Sequence, residues 1–373
     1  MRRENVYTTL LVAGLSFAVI ARDAPVAQDP KAAEVIHELG LAEGATALRD
    51  ARGWKTPKKI VLLQMGPLDA LQAVAPGVTL VVINDPKDMA NAVADADAIG
   101  GVDNVVCDDA GLAAAKKLRW IAVYSAGVEA CLGKPALEKP GIVVTNMRAI
   151  AGPVMAEHTI ALMLALSRGL QTYIPRQGHW DDRARGVNMV SLDGKTILIA
   201  GLGGIGLEVA RRAHALDMKV IATRNSSRDK PDYVSYVGLA DELPTLIGQA
   251  DVVVSALPLV PATTNLFDAK MFARMKKTAF FVNVGRGGSV VTADLVTALN
   301  AGTIAGAGLD VTEPEPLPDD HPLWKAKNVV ITPHVSAQSD LGQGVRALIY
   351  REQVRRFVAG DKLLSVVDFK KGY

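Results

Sequence analysis

Cysteine is nearly absent from this chain. Cys107 and Cys131 are the only two in 373 residues, too few and too casually placed to suggest a metal site or a disulfide framework. Charge of one sign is also scarce: 41 basic against 39 acidic residues leave a net +2, with no Lys/Arg block, so nothing favours a nucleic-acid partner. Heptads, internal repeats and low-complexity tracts are missing, as is any apolar run long enough to span a membrane. What is present is ordinary soluble protein, 49% apolar and 21% charged. At about 150 residues per domain, the length suggests two domains.

The N-terminus stands apart. Arg2 and Arg3 precede an uncharged stretch from Val6 to Ala21, with Val19 and Ala21 in the small-residue pattern of a cleavage site. That is the layout of a secretory signal, and the adjacent arginines hint at twin-arginine export. Residues 23–58 mix proline, alanine and charge and read as a linker or loosely packed arm. Regular alternation then begins at Lys59–Leu63, with further strands at Thr79–Ile83, Trp120–Val123 and Ile142–Thr145. A long buried helix is expected from Pro153 to about Tyr173. A second series follows: Thr196–Ala200, Lys219–Thr223, Val252–Ser255, Ala279–Asn283, Ala305–Leu309 and Val329–Thr332. The expected fold is α/β, two doubly wound parallel-sheet domains, the second a Rossmann domain. The final helical stretch, Gln338–Ala359, should return to the first domain and make it discontinuous. The boundaries are then 1–57 for the signal-like segment and linker, 58–155 with 336–373, and 156–335.

Ile197–Ala200 runs into Gly201-Leu-Gly203-Gly-Ile-Gly206, with a helix-forming stretch behind it. Gly201 permits a tight turn, Gly203 lets the backbone approach a pyrophosphate, and Gly206 lets helix pack on strand; Gly204 and Ile205 complete the loop. A carboxylate for the ribose hydroxyls is expected at the end of the next strand. Arg224 stands there instead, followed by Asn225, Ser226, Ser227 and Arg228, which favours NADP(H) over NAD(H).

Three residues in the last quarter carry the chemistry: Arg286 in Asn283-Val-Gly-Arg-Gly287, Glu315 in Asp310-Val-Thr-Glu-Pro-Glu-Pro316, and His334 in Thr332-Pro-His-Val-Ser336. Beside a nicotinamide they are the parts needed to reduce a 2-oxo acid. With these motifs, the Gly201–Gly206 loop, Ser255-Ala-Leu-Pro258 and the segment from Val366 onward, the chain resembles the D-isomer-specific 2-hydroxyacid dehydrogenases from Lys58 to its end.

The resemblance implies a flavodoxin-like first domain, a homodimer and a set of roles. His334 would be the general acid or base, Glu315 its carboxylate partner, and Arg286 the clamp on the substrate carboxylate, which a lysine cannot copy. Backbone N–H groups of Ser125, Ala126, Gly127 and Val128 would hold the same carboxylate. Leu257, Pro258 and Val284 would line the cofactor, and Asp310 would bind the nicotinamide carboxamide, a carboxylate that could equally cap a turn. Glu129 departs from the more usual Asp after the substrate loop. Glu315 stands where formate dehydrogenases of the superfamily have Gln, which argues against formate. The preferred reading is an NAD(P)-dependent reductase of a small 2-oxo acid, of the glyoxylate or hydroxypyruvate reductase kind, with no metal and no stable membrane insertion. The alternatives are a phosphite-type dehydrogenase and a catalytically idle dinucleotide sensor. The signal layout points to export and the soluble cofactor pool to the cytoplasm, so the compartment stays open.

Overall fold

The computed structural model describes residues 26–63, 68–137, 141–178, 189–225 and 227–372. The signal-like stretch from Val6 to Ala21, Trp180 and Ser226 lie outside the described residues.

Short apolar runs make the strands. β1 (Lys59–Leu63), β2 (Thr79–Ile83), β3 (Ala98–Gly101), β4 (Trp120–Val123) and β5 (Val143–Thr145) pair in parallel in the order β2-β1-β3-β4-β5, which is the flavodoxin-like order. All four β4 residues and four of five in β1 are buried, as expected for strands covered on both faces. The second sheet comprises β6 (Thr196–Ala200), β7 (Lys219–Arg224), β8 (Tyr236–Leu239), β9 (Val252–Ser255), β10 (Phe280–Asn283), β11 (Gly306–Leu309) and β12 (Val329–Ile331). Its order, β12-β11-β10-β9-β6-β7-β8, is the Rossmann order with β12 added at one edge, again all parallel.

Between the sheets runs the helix Gly152–Arg168, with Pro153 in its first turn and Gly169 in the left-handed region at its end. It packs on the second sheet, where Gly308 of β11 allows the contact: a Cβ there would lie 3.0 Å from Leu162 Cβ. The last helix, Asp340–Ala359, is capped by Ser339, whose Oγ accepts from Gly342 N at 2.9 Å. It returns to the first sheet, placing Tyr350 and Phe357 against Trp120 at 6.3 and 4.8 Å between ring centroids.

Four features depart from the sequence reading. β3 is an additional strand hidden by its composition, since Gly100 and Gly101 lack side chains and carry low strand propensity. Gly100 is nonetheless required, because a Cβ there would meet the Tyr350 and Tyr124 hydroxyls. β8 is a second additional strand, a four-residue edge element whose Tyr236 faces solvent.

Residues 26–57 are the third departure, being neither linker nor loose. The helix Pro30–Glu38 and the chain after it are tied to the last helix by the Arg351–Asp29 ion pair and by Arg356 on Glu43 at 2.7 Å, and to the turn that ends it by the Arg49–Asp361 pair. Backbone bonds add Gly44 N to Leu363 O at 2.7 Å and Arg49 N to Gly360 O at 2.8 Å. Fourth, Cys107 and Cys131 form a disulfide across 24 positions. They are distant in sequence and meet because a short helix after β3 and the turn after β4 lie side by side.

Candidate functional site

Parallel strands deliver their following loops to one edge, and that edge collects the sequence-derived residues. Reading along the larger sheet, His334 follows β12, Asp310 and Glu315 follow β11, and Arg286 follows β10. Leu257 and Pro258 follow β9, the glycine loop follows β6, and Arg224 ends β7. The strand order reverses between β9 and β6, the crevice where doubly wound sheets take their ligands.

At that crevice Gly201 adopts φ +98° and sits against Ala256, so only glycine serves. A Cβ on Gly206 would strike the Gly201 carbonyl, whereas one on Gly203 would enter open space. The Gly203 backbone is therefore bare toward a cradle at the start of the helix Gly204–His214, whose first N–H groups face the same way. Residues of this shape fit a dinucleotide pyrophosphate. Ile205 and Val284 pack into the core beneath, Val284 fully buried. The Arg224 guanidinium donates to Leu202 O at 2.9 Å and Asp229 O at 3.0 Å, which holds it beside the glycine loop; Asn225 is exposed next to it.

His334 and Glu315 are paired, with Nδ1 2.5 Å from Glu315 Oε1. A carboxylate acceptor makes Nδ1–H the donor and leaves Nε2 as the atom that faces a reactant. The imidazole is 44% exposed, so it can exchange protons with solvent. His334 takes φ +53°, costly for a side-chain-bearing residue, and is held there by its N–H on the carbonyls of Asp310 (2.8 Å) and Thr332 (3.0 Å).

The Asp310 side chain holds the same loop. It is fully buried and accepts from Thr332 Oγ1 at 2.7 Å and from the N–H groups of Val335 and Ser336 at 3.0 Å each. Burial works to raise its pKa, but the hydrogen bonds from Ser336, Thr332 and the Val335 backbone outweigh it and hold the carboxyl below its ordinary range. His158 Nε2 lies 2.8 Å from Thr332 Oγ1 and extends this network.

Arg286 lies on a loop that is itself pinned. Asn283 Nδ2 and Ser289 Oγ donate to its carbonyl at 3.0 and 2.8 Å, and Gly287 packs flush on the Thr312 carbonyl where no Cβ would fit. Its Nε donates to Glu129 Oε1 at 2.8 Å and its Nη1 to Gly285 O at 2.9 Å. Its Nη2 lies over Gly127, where a Cβ would collide with it. The guanidinium thus reaches from a loop of the larger sheet to the Ser125–Val128 loop of the smaller. That Glu129 is its partner was not legible in the sequence, because 157 positions separate the two.

The Ser125–Val128 loop has its carbonyls occupied and its N–H groups open. Ser125 O takes Met147 N at 2.9 Å, Ala126 O takes Asn146 Nδ2 at 2.7 Å, and Gly127 O takes Ser125 Oγ at 2.8 Å. With those carbonyls occupied, the N–H groups of Ser125 to Val128 make no hydrogen bond among the described residues. Gly127 is half-buried, Ala126 exposed and Val128 buried. Among the described residues no group of His, Cys, Asp and Glu is placed to hold a metal, and no helix is long and apolar enough to cross a membrane.

Residues 160–336 match the family model for the D-isomer specific 2-hydroxyacid dehydrogenase NAD binding domain. A glycerate dehydrogenase of Methylorubrum extorquens is 36% identical over 251 residues, 65% of this chain and 77% of that protein. A D-isomer specific 2-hydroxyacid dehydrogenase family protein of Aeromonas salmonicida superposes with a TM-score of 0.71 at 32% identity, covering 84% of this chain and 99% of that one. An NADPH-dependent glyoxylate/hydroxypyruvate reductase of Sinorhizobium meliloti, solved with NADP and sulfate, gives 0.68 at 27% identity, covering 85% and 100%. With this fold, this glycine cradle and these relatives, the chain belongs to the D-isomer-specific 2-hydroxyacid dehydrogenases and is an NAD(P)-dependent oxidoreductase of 2-hydroxyacids.

Proposed function

We propose that this enzyme reduces a small 2-oxo acid of the glyoxylate or hydroxypyruvate kind to the D-2-hydroxyacid, with Arg286, Glu315 and His334 as its catalytic residues. The observation that carries the reading is the His334–Glu315 pair on the strand end two places along from the Arg286 loop, whose guanidinium lies over Gly127 of the Ser125–Val128 loop. The substrate carboxylate would lie between the Arg286 guanidinium and the N–H groups of that loop, which leaves its carbonyl directed at His334. A bound nicotinamide supplies the hydride to the carbonyl carbon. His334 Nε2 gives its proton to the carbonyl oxygen as charge builds there, and Glu315 keeps Nδ1 protonated and the ring oriented. The exposed imidazole then recovers a proton from water. The reverse direction uses the same ring as base.

NADP(H) is the favoured cofactor, because a guanidinium rather than a carboxylate ends β7; Ser226 would complete that turn. The Sinorhizobium reductase, named as NADPH-dependent, supports this reading. Asp310 would serve its loop first, with any contact to the carboxamide secondary to that. A homodimer is the expected assembly, to be checked by light scattering. The signal-like N-terminus and the Cys107–Cys131 bridge both favour an oxidising compartment, to be checked by fractionating cells that express the tagged full chain.

The test is a NADPH and NADH oxidation screen over glyoxylate, hydroxypyruvate, pyruvate and phenylpyruvate, repeated with His334→Ala. The substitution should lower kcat by roughly 10²–10⁴-fold while dinucleotide affinity is kept. Unchanged turnover would remove His334 from the mechanism. A wild-type chain that binds the dinucleotide but reduces none of these acids would favour a sensor.

A further inference from the structure

At the opposite end of the smaller sheet, away from the reaction, the N-terminal arm builds something the reaction does not use. Residues Leu48 and Ala51 to Trp54, with Leu112, Leu118 and Ile142 just before β5, line an open cleft of about 520 Å³. That volume lies in the range of small-molecule sites. Its floor is apolar. Its cations are Arg52, Lys116, Lys117 and Arg119, and no acidic residue lines it among the described residues.

The floor is built rather than incidental. Arg119 is anchored by Asp97 at 2.7 Å and by Lys55 O at 2.6 Å, and its guanidinium lies 4.6 Å from the Trp54 ring centroid. Trp54 in turn packs edge-on against Phe357 of the last helix at 5.9 Å. Arg119 is thereby spent on structure. Arg52, Lys116 and Lys117 make no side-chain ion pair among the described residues and stand exposed at the rim. Three exposed cations, of which Lys117 also lies within electrostatic reach of Asp95, surround an aromatic and aliphatic floor and put charge at the mouth of an apolar surface. On a chain of net charge +2 this concentration is local, not general.

We propose that this cleft is a second ligand site, for a small organic anion with a flat apolar body and a carboxylate, sulfonate or phosphate head. The body lies on Trp54 and Leu118, and the head meets Lys116, Lys117 and Arg52. Arg119 and Tyr124 bracket β4, so the cleft and the substrate loop are separated by the length of that strand, about 13 Å at roughly 3.3 Å per residue. Ligand there does not compete with the 2-oxo acid.

The probe is 8-anilinonaphthalene-1-sulfonate, added to the full chain with NAD+ and NADP+ both saturating so that the dinucleotide crevice is closed to the dye. One equivalent of dye should still bind saturably. Lys116→Glu with Lys117→Glu should weaken that binding by roughly tenfold or more, with the effect shrinking at high salt, and leave kcat and KM for 2-oxo acid unchanged. Should that double variant misfold, Lys116→Gln with Lys117→Gln makes the same test with a smaller expected loss. Loss of all dye binding once both dinucleotides are present would overturn the proposal, as would dye affinity indifferent to both double variants. Neither result bears on the Arg286, Glu315 and His334 reading.

Discussion

The two walls of the proposed reaction cleft are built by different means. On the side of the larger sheet, the His334 loop is fastened from within by a buried carboxylate with three partners. On the side of the smaller sheet, the substrate loop is fastened from behind through its carbonyls, and from across the cleft by the half-exposed Arg286–Glu129 pair. A buried, fully satisfied network is costly to disturb because each stranded group loses its solvation without recompense. A half-exposed ion pair contributes on the order of 0–1 kcal/mol. The wall that carries His334 should therefore be rigid, and the wall that carries the Ser125–Val128 loop adjustable.

The largest effect that separates the walls should come from Arg286→Lys, since Arg286 touches both. Lysine cannot place one donor on Glu129 and another over Gly127, so kcat/KM for the 2-oxo acid should fall by roughly 10²-fold or more. Steady-state kinetics checks this; a loss below fivefold would mean that the guanidinium geometry is not used.

Asp310→Ala should come next and should act on the rigid wall alone. Thr332 Oγ1 and two backbone N–H groups would be left in a buried site, at about 1–3 kcal/mol each. The loop that keeps His334 at positive φ would loosen, so kcat should fall more steeply than carboxylate binding. The pH dependence has a definite sign. A carboxyl held below its ordinary range in the folded chain contributes stability that is complete above the unfolded value, roughly 3.9, and is lost as pH falls through the folded one. Acid should therefore loosen this wall only below about pH 4. Stability measured between pH 3 and 6 tests it, and an Asp310→Ala curve parallel to wild type throughout would refute it.

Removing the disulfide tests the other wall. Cys131 lies two residues past Glu129, so the bridge ties the turn carrying that carboxylate to the helix after β3. Cys107→Ser with Cys131→Ser frees a segment 24 positions long and should cost about 3 kcal/mol of stability by urea denaturation. Catalysis at 25 °C should change by less than about threefold, because the loop carbonyls stay bonded.

This contrast was only partly readable from the chain. Strand ends gather at one edge of a parallel sheet whatever their spacing, so alternation puts Arg286, Glu315, His334 and the glycine loop on one edge, and their grouping into a site comes from their chemistry and the family resemblance. Partnerships between elements could not be found that way. Glu129 and Arg286 meet across 157 positions, and Cys107 meets Cys131 through the packing of two short segments. Asp310 was legible as a carboxylate with two possible uses, and geometry assigns its acceptors to Thr332, Val335 and Ser336. The arm at residues 26–57 looked loose because its contacts are with a helix some 300 positions away, beyond the reach of any local pattern.

The smallest effect is the most diagnostic of how the adjustable wall works. Glu129 does two things to Arg286: it accepts a hydrogen bond from Nε, and it offsets the guanidinium charge proposed to meet the substrate carboxylate. Glu129→Gln keeps an acceptor of the same reach and removes the charge, so KM for the 2-oxo acid should fall, by roughly two- to fivefold, and the gain should fade as salt is raised. Glu129→Ala removes both, so the guanidinium swings and KM should rise while kcat changes little. Opposite shifts in KM from the two variants require that orientation and charge be separable jobs of one carboxylate. Shifts in the same direction would reduce Glu129 to one of them.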